Sequence, residues 1–308
     1  MEYDFNGASE ILSPRSSVNE ATMIIDTHVH FADPSVPNPL LFRMEMPDVL
    51  KDIARPLGVT GVVKVEALKS VEENTWALDL AADDPFIVGY VGTLDVYSHH
   101  FPNQLARFAD NLKFSGIRVH TLDHGTAENE SRFIENMHLL SEARRSLDVH
   151  VSHFDLGPLH DIVERVPDLR MVLNHLAEGR IISDPPNPEW ANNVTSFARY
   201  PQVSMKVSAL VQMTDEGKPD AEVNFHVKRA VPAPSDPEHY RAVIDVVWNA
   251  FGEDRLIYAS NWPQIERVSD YATELDIVRT YFERKATVAS EKCFWRNAND
   301  FYRLDIPG

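Results

Sequence analysis

Eight short β-rich runs, each followed by a longer amphipathic stretch, recur along this chain of 308 residues, and that alternation restricts the fold more than any other feature. The runs are MIIDTHVH, GVTGVVKVEA, FIVGYVGTLD, FSGIRVH, LDVHVSH, LRMVLNH, VSMKVSAL and RLIYASNW. Parallel strands need long crossovers, and helical periodicity fills the intervals. In PEHYRAVIDVVWNAFG, Tyr240, Val243, Ile244, Val247 and Phe251 recur at helical spacing, and Gly252 supplies the stop. Eight such units without a second composition zone predict an α/β architecture, a single-domain (β/α)8 TIM barrel over residues 22–308 closed by a last helix near SEKCFWRNANDFYRL. A doubly wound open sheet is the alternative, weakened because no GxGxxG turn follows the first run. Residues 1–21 are polar, contain Pro and Ser, and are expected to form an N-terminal tail.

Charge and cysteine content narrow the function. Forty-seven acidic against 29 basic residues leave a formal charge of −18, which repels polyphosphate and anionic lipid. Nucleic-acid and membrane partners are therefore not expected, and an anionic substrate needs its own Arg or Lys inside a cleft. With Cys293 as the one cysteine, neither an intrachain disulfide nor a Cys-rich zinc site can be built. Any metal must use His and carboxylates. No run approaches the roughly 18 apolar residues of a membrane span, and the start lacks a basic segment followed by an apolar one, so a cytoplasmic protein is expected. Barrels often pair through their helices, which leaves a homo-oligomer open.

The chemistry collects at the strand ends. His28 and His30 stand two apart at the end of the first run, so both side chains project to one face, towards the barrel mouth. That spacing lets two imidazoles reach one ion at about 2.0–2.1 Å. Alternatively they are a hydrogen-bonded pair at a strand end. Later runs end in Lys64 and Glu66, Asp95, Arg118 and His120, Asn174 and His175, Lys206 and Ser208, and Ser260 and Asn261. Ionisable groups gathered at one end of parallel strands are costly unless water, a ligand or an ion satisfies them, which favours an active site. Arg118 could instead be a salt bridge to Asp95 or Glu66, and Lys206 a similar one. His120 and His124 could lie in solvent, as could His99, His100, His138, His160, His226 and His239. Two long connections, 31–46 and 211–240, follow strand C-termini and are placed to roof the mouth.

DTHVH, GIR at 116–118, LNHLA at 173–177, KVS at 206–208 and ASNWP at 259–263 occur in this order. With them the chain resembles the amidohydrolase superfamily over roughly residues 22–304, and more narrowly its family 2 branch, which holds sugar-lactone hydrolases, pyrone dicarboxylate lactonase and decarboxylases. The resemblance implies metal ligation by His28, His30 and His175, with a further histidine after strand five and an aspartate after strand eight. Here the strand-five position falls on Ser152, with His153 one step off, and Asn261 stands where the aspartate is usual. An amide brings neither the negative charge nor the basicity of a carboxylate. The cofactor expectation is thus one divalent ion, zinc first, held by His28, His30 and His175, or a metal-free site.

The implied activity is a lactonase-type hydrolase opening a sugar-acid lactone or related cyclic ester. The carbonyl is polarised by the ion or by His28 and His30 as donors, His175 positions the water, and Arg118 and Lys206 steady an oxyanion or carboxylate. Asn261 belongs to the same catalytic set. Glu66, Asp95, His120, His150 and Trp262 are substrate-binding candidates, and Glu66, Asp95 or His150 could take the proton. Trp262 and Phe31 could stack on a sugar face, or could be loop packing. The alternatives are a decarboxylase of an unsaturated or aromatic acid, and a barrel that binds a sugar acid without turning it over.

Overall fold

The computed structural model describes residues 23–38, 41–120, 122, 124–152, 156–177, 185–214 and 227–306. Every one of the eight runs overlaps a strand: β1 Ile24–Val29, β2 Val59–Val65, β3 Ile87–Gly92, β4 Phe114–Val119, β5 Ser146–Val149, β6 Met171–Leu173, β7 Val203–Ser208 and β8 Leu256–Ala259. They form one parallel sheet in chain order. β8 returns to β1 through the bridge between Val29 and Trp262, with Asn261 N–H donating to His28 O at 2.9 Å and His30 N–H to Trp262 O at 2.8 Å. Asp26 tightens this seam. Its carboxylate accepts Ser260 N–H at 2.9 Å and the Tyr271 hydroxyl at 2.8 Å. The α/β TIM barrel expected from the alternation is the observed fold, and the last strand closes on the first beside the two histidines.

The major helices are α1 Pro47–Ala54, α2 Glu73–Asp83, α3 Phe101–Phe108, α4 Ala127–Glu142, α5 Gly157–Arg165, α6 Pro188–Thr195, α7 Glu238–Phe251 and α8 Tyr271–Glu283. Their starts follow local chemistry. The side chains of Thr126, Asn187 and Asp270 accept the first free N–H groups of α4, α6 and α8. On α7 the buried residues are Tyr240, Val243, Ile244, Val247 and Phe251, the stripe read from the sequence, and Gly252 follows at φ 69°. Among the described residues no helix is long and apolar enough to cross a membrane.

Strand alternation divides the core in two. Outward side chains such as Val62, Ile117, Leu147 and Met205 pack beneath the helices. Inside the barrel Ile25, Val63, Val65, Val91, Val172 and Ile257 meet Trp295, Ala298, Phe301, Tyr302 and Leu304 from the C-terminal segment. That segment is α9 Thr287–Glu291, a π-helical turn at Lys292–Arg296, and α10 Asn297–Tyr302. The last helix therefore fills the barrel interior as a plug, leaving the other end for chemistry. The expected tail at 1–21 lies outside the described residues, as do His153, His226 and parts of both long connections.

Candidate active site

Beyond the strand ends, five imidazoles form an arc. Ring centroids run from His30 to His28 at 4.9 Å, His28 to His175 at 4.4 Å, His175 to His150 at 5.4 Å, and His150 to His120 at 5.1 Å. β1, β4, β5 and β6 each supply members from their last residues or the positions just after them. His175 comes from a tight left-handed turn in which His175, Leu176 and Ala177 have φ of 51°, 53° and 58°. Such residues cost about 1–2 kcal/mol each. The turn is held by Trp190 Nε1–H donating to Leu176 O at 2.8 Å and by Ala177 N–H donating to Asn174 O at 2.9 Å. Backbone strain of this kind belongs where a side chain must be aimed.

Glu66 organises one flank. Its fully buried carboxylate accepts Arg118 Nε–H at 2.8 Å, Lys69 N–H at 2.8 Å and His120 Nε2–H at 2.6 Å. Burial pushes the carboxyl up, but the Arg118 charge and the bonds from His120 and Arg118 outweigh it and hold Glu66 well below the usual carboxylate range. Arg118 adds Nη2–H to Glu66 O at 3.0 Å, so the salt bridge allowed by the sequence is present. His120, lowered by burial to about 4, is neutral and accepts His150 Nδ1–H at 3.2 Å.

His28, His30 and His175 are also neutral. Burial first, then neighbouring cations and imidazoles, holds His28, His30 and His175 well below the usual histidine value. His30 Nδ1 faces two carbonyl oxygens, Glu66 O at 3.0 Å and Val65 O at 3.3 Å, so it carries the ring hydrogen and leaves the lone pair on Nε2. His30 is therefore an acceptor, not the carbonyl donor considered from sequence. His175 Nδ1 is held by Ser208 Oγ at 2.8 Å.

Several candidates land elsewhere. Asp95 is exposed, and its carboxylate accepts Tyr97 N–H at 3.2 Å in the turn before α3. Trp262 is fully buried, edge-on to Phe31 at 6.0 Å, with Nε1–H on Glu266, so it offers no face to a sugar. Lys206, also fully buried, points into the barrel and pairs with Asp148 at 2.7 Å instead of reaching the mouth. Asn261, 9% exposed, sits at φ 68° and donates Nδ2–H to Gln212 Oε1 at 2.8 Å. His124 and His160 are half-buried rather than in solvent, packed on Phe133 and stacked on Phe197 respectively, whereas His99, His100, His138 and His239 are exposed. Sequence reasoning missed Asp148, Gln212 and Tyr302. Asp148 was accessible, since alternation puts it on the face of His150 two residues on; Tyr302 carried no local signal.

Among the described residues the donor set does not fit a divalent ion. Arg118 Nη1 lies 3.2 Å from His28 Nε2 and Lys206 Nζ 3.3 Å from Nδ1, so cations flank both nitrogens of the central ligand candidate. At the positions where the resemblance implies a histidine and an aspartate, the chain has Ser152 and Asn261. Among the described residues no group of three or more His, Cys, Asp or Glu side chains is placed to hold a metal. A dication beside a guanidinium would need a compensating carboxylate that this arc does not direct at it.

Comparison with known proteins agrees with the fold. L-fucono-1,5-lactonase of Burkholderia ambifaria is 30% identical, covering 93% of this chain and 97% of that protein. L-fucono-1,5-lactonase of Burkholderia multivorans is 24% identical over 83% of this chain and 84% of its own. The crystal structure of an amidohydrolase from Burkholderia multivorans with bound zinc superposes with a TM-score of 0.77 at 22% identity, covering 92% of this chain and 99% of that one. The amidohydrolase family model matches residues 25–304, which takes in the histidine arc and all eight strands but for Ile24, and the chain belongs to the amidohydrolase family.

Proposed function

We propose that this protein opens the ring of a sugar-acid lactone by water attack on the ester carbonyl. The carrying observation is the arc of five imidazoles flanked by a buried Arg118–Glu66 pair, a site supplied with both hydrogen-bond donors and bases. The lactonase relatives support this substrate class. Arg118 Nη1–H and His28 take the carbonyl oxygen. His30 Nε2 or His175 accepts a hydrogen from the attacking water as its oxygen bonds to the carbonyl carbon. The oxyanion then collapses, the ring C–O bond breaks, and the alkoxide recovers that hydrogen to give an open hydroxy acid. A weak base suffices because an ester carbonyl is more electrophilic than an amide and the leaving oxygen stays tethered. Asn261 holds the β8–β1 seam through His28 O and contributes no proton transfer.

No step of this scheme passes through a resident ion, although a zinc-bound relative of the same fold exists. A decarboxylase would depend on a well-ligated metal, which the donor set disfavours. The test is proton release from a panel of aldono- and aldarolactones, L-fucono-1,5-lactone included, corrected for spontaneous opening and run with and without chelator. Catalysed release that chelation leaves within about twofold is expected. Release abolished by chelator would return the carbonyl to a metal, and no release from any lactone, even at high enzyme concentration, would overturn the hydrolase reading.

A further inference from the structure

We propose that Lys206, clamped by Asp148 and Tyr302, is a positioning residue that fixes the tautomer of His28 and makes its Nε2–H a hydrogen-bond donor to the substrate oxygen. Lys206 Nζ has three neighbours of hydrogen-bonding type: Asp148 Oδ2 at 2.7 Å, Thr27 O at 3.0 Å and His28 Nδ1 at 3.3 Å. An ammonium has three hydrogens and no lone pair, and two of these partners are oxygens that only accept. The third hydrogen has His28 Nδ1 as its remaining partner; Arg118 Nη1, 3.2 Å from Nε2, competes for the ring's single lone pair, and we assign that lone pair to the fully buried ammonium, since Arg118 is already bound to Glu66 through Nε and Nη2. A neutral imidazole then carries its hydrogen on Nε2.

The clamp is built from distant elements. Asp148 on β5 also receives the Tyr302 hydroxyl, at 2.9 Å to Oδ2 and 3.1 Å to Oδ1, and the Tyr302 ring lies 5.5 Å from Nζ. All three side chains are buried, which strengthens the ion pair and its hydrogen bonds. The C-terminal plug thus reaches the reacting end of the barrel through two hydrogen bonds and an ion pair.

At the far side of the ring, His28 Nε2 stands 3.2 Å from Arg118 Nη1. With Nδ1 taking the ammonium hydrogen, Nε2–H and Arg118 Nη1–H stand side by side as two donors, since a guanidinium cannot accept a hydrogen bond. An oxygen that gains charge during the reaction is the acceptor this pair lacks, a part of the argument that rests on the lactonase reading. The same tautomer leaves Nε2 without a lone pair for an ion, which gives the poor metal fit a cause.

The test pairs a spectroscopic readout with a kinetic one. In ring-15N-histidine protein, with His28 assigned by its loss in His28→Gln, wild type is expected to show a pyrrole-type Nε2 and a pyridine-type Nδ1. Lys206→Met/Asp148→Asn removes both charges together, so no buried charge is left uncompensated. In this double variant the His28 pattern should invert or average, and kcat should fall about 100-fold, as for loss of one oxyanion donor, while KM stays within about threefold. Tyr302→Phe, which keeps the plug packed, should show the same changes in smaller measure. A pyrrole-type Nδ1 in wild type overturns the proposal even if lactones are opened, as does an unchanged His28 pattern in the folded variants. The expected tautomer with no lactone turnover would instead leave it standing and remove the hydrolase reading.

Discussion

At the scale of residues, the site works by keeping histidines neutral. Burial costs the charged form of His28, His30 and His175, and neighbouring cations add to that cost, Arg118 at all three and Lys206 at His28 and His175. A folded value depressed below the ordinary one means that the neutral ring persists to lower pH, with protonation delayed until the folded value is reached. His28, His30 and His175 lie well below the usual value, and His120 falls to about 4. The lactone-opening rate should therefore stay flat from about pH 8 to about pH 5 and fall near pH 4, where a proton on His120 Nδ1 displaces His150. A pH–kcat profile, corrected for spontaneous opening, checks this; an ordinary histidine break near pH 6.5 would contradict it.

Individual residue types were legible to different degrees. His28, His30 and His175 were found because strand periodicity and motif order point at them. Their hydrogen positions were not, since these depend on groups that arrive from other strands. Trp262 could be a stacking platform or loop packing by sequence, because an aromatic after a strand end suits either. Only burial against Phe31 decides between them.

At the scale of elements, β4 and β5 show how closely strands must approach to bring Arg118 and His150 to one site. A methyl group at Gly116 would lie 2.2 Å from Ser146 Oγ and 2.4 Å from Ser146 O, and a backbone oxygen cannot rotate away. Gly116→Ala should destabilise by about 1–3 kcal/mol or more by overpacking. It should also lower lactone opening, because Arg118 lies two residues on along the displaced strand. A urea midpoint within error of wild type would show that the strands can part at no cost. The elements were the most legible level of the chain, because each strand and α7 satisfies a local periodicity. The strand ends were less so, since Glu66, His120 and His150 lie just beyond the last ladder residues, where backbone direction is set by neighbours.

At the scale of the whole molecule, the C-terminal segment closes the barrel interior. Trp295, Phe301 and Tyr302 are buried against Ile25, Val63, Val65, Val91, Val172 and Ile257. At about 1.5–3 kcal/mol for a fully buried large apolar side chain, these three supply about 5–9 kcal/mol. That is comparable with the about 5–15 kcal/mol stability of a typical domain. A chain ending before Cys293 is therefore expected to be insoluble or to lack a cooperative unfolding transition, with circular dichroism and thermal melting as the measurement. A truncated chain that melts cooperatively near the wild-type temperature would show the plug to be dispensable.

Sequence by itself determined the eightfold alternation, the barrel that follows from it, and the collection of imidazoles, Arg118 and Glu66 at one end, because these rest on local periodicity and on the cost of burying charge. It also carried the absence of a carboxylate at Asn261. Only the tertiary structure decided which groups face the substrate and which support them. Asp148 lies 58 residues from Lys206 and 154 from Tyr302, yet the three meet inside the barrel beneath His28. No pattern in the chain encodes that meeting. It follows from the closure of β8 onto β1 and the insertion of α10, which bring a lysine that read alone as a candidate oxyanion holder and a tyrosine without any local signal into one hydrogen-bonded line.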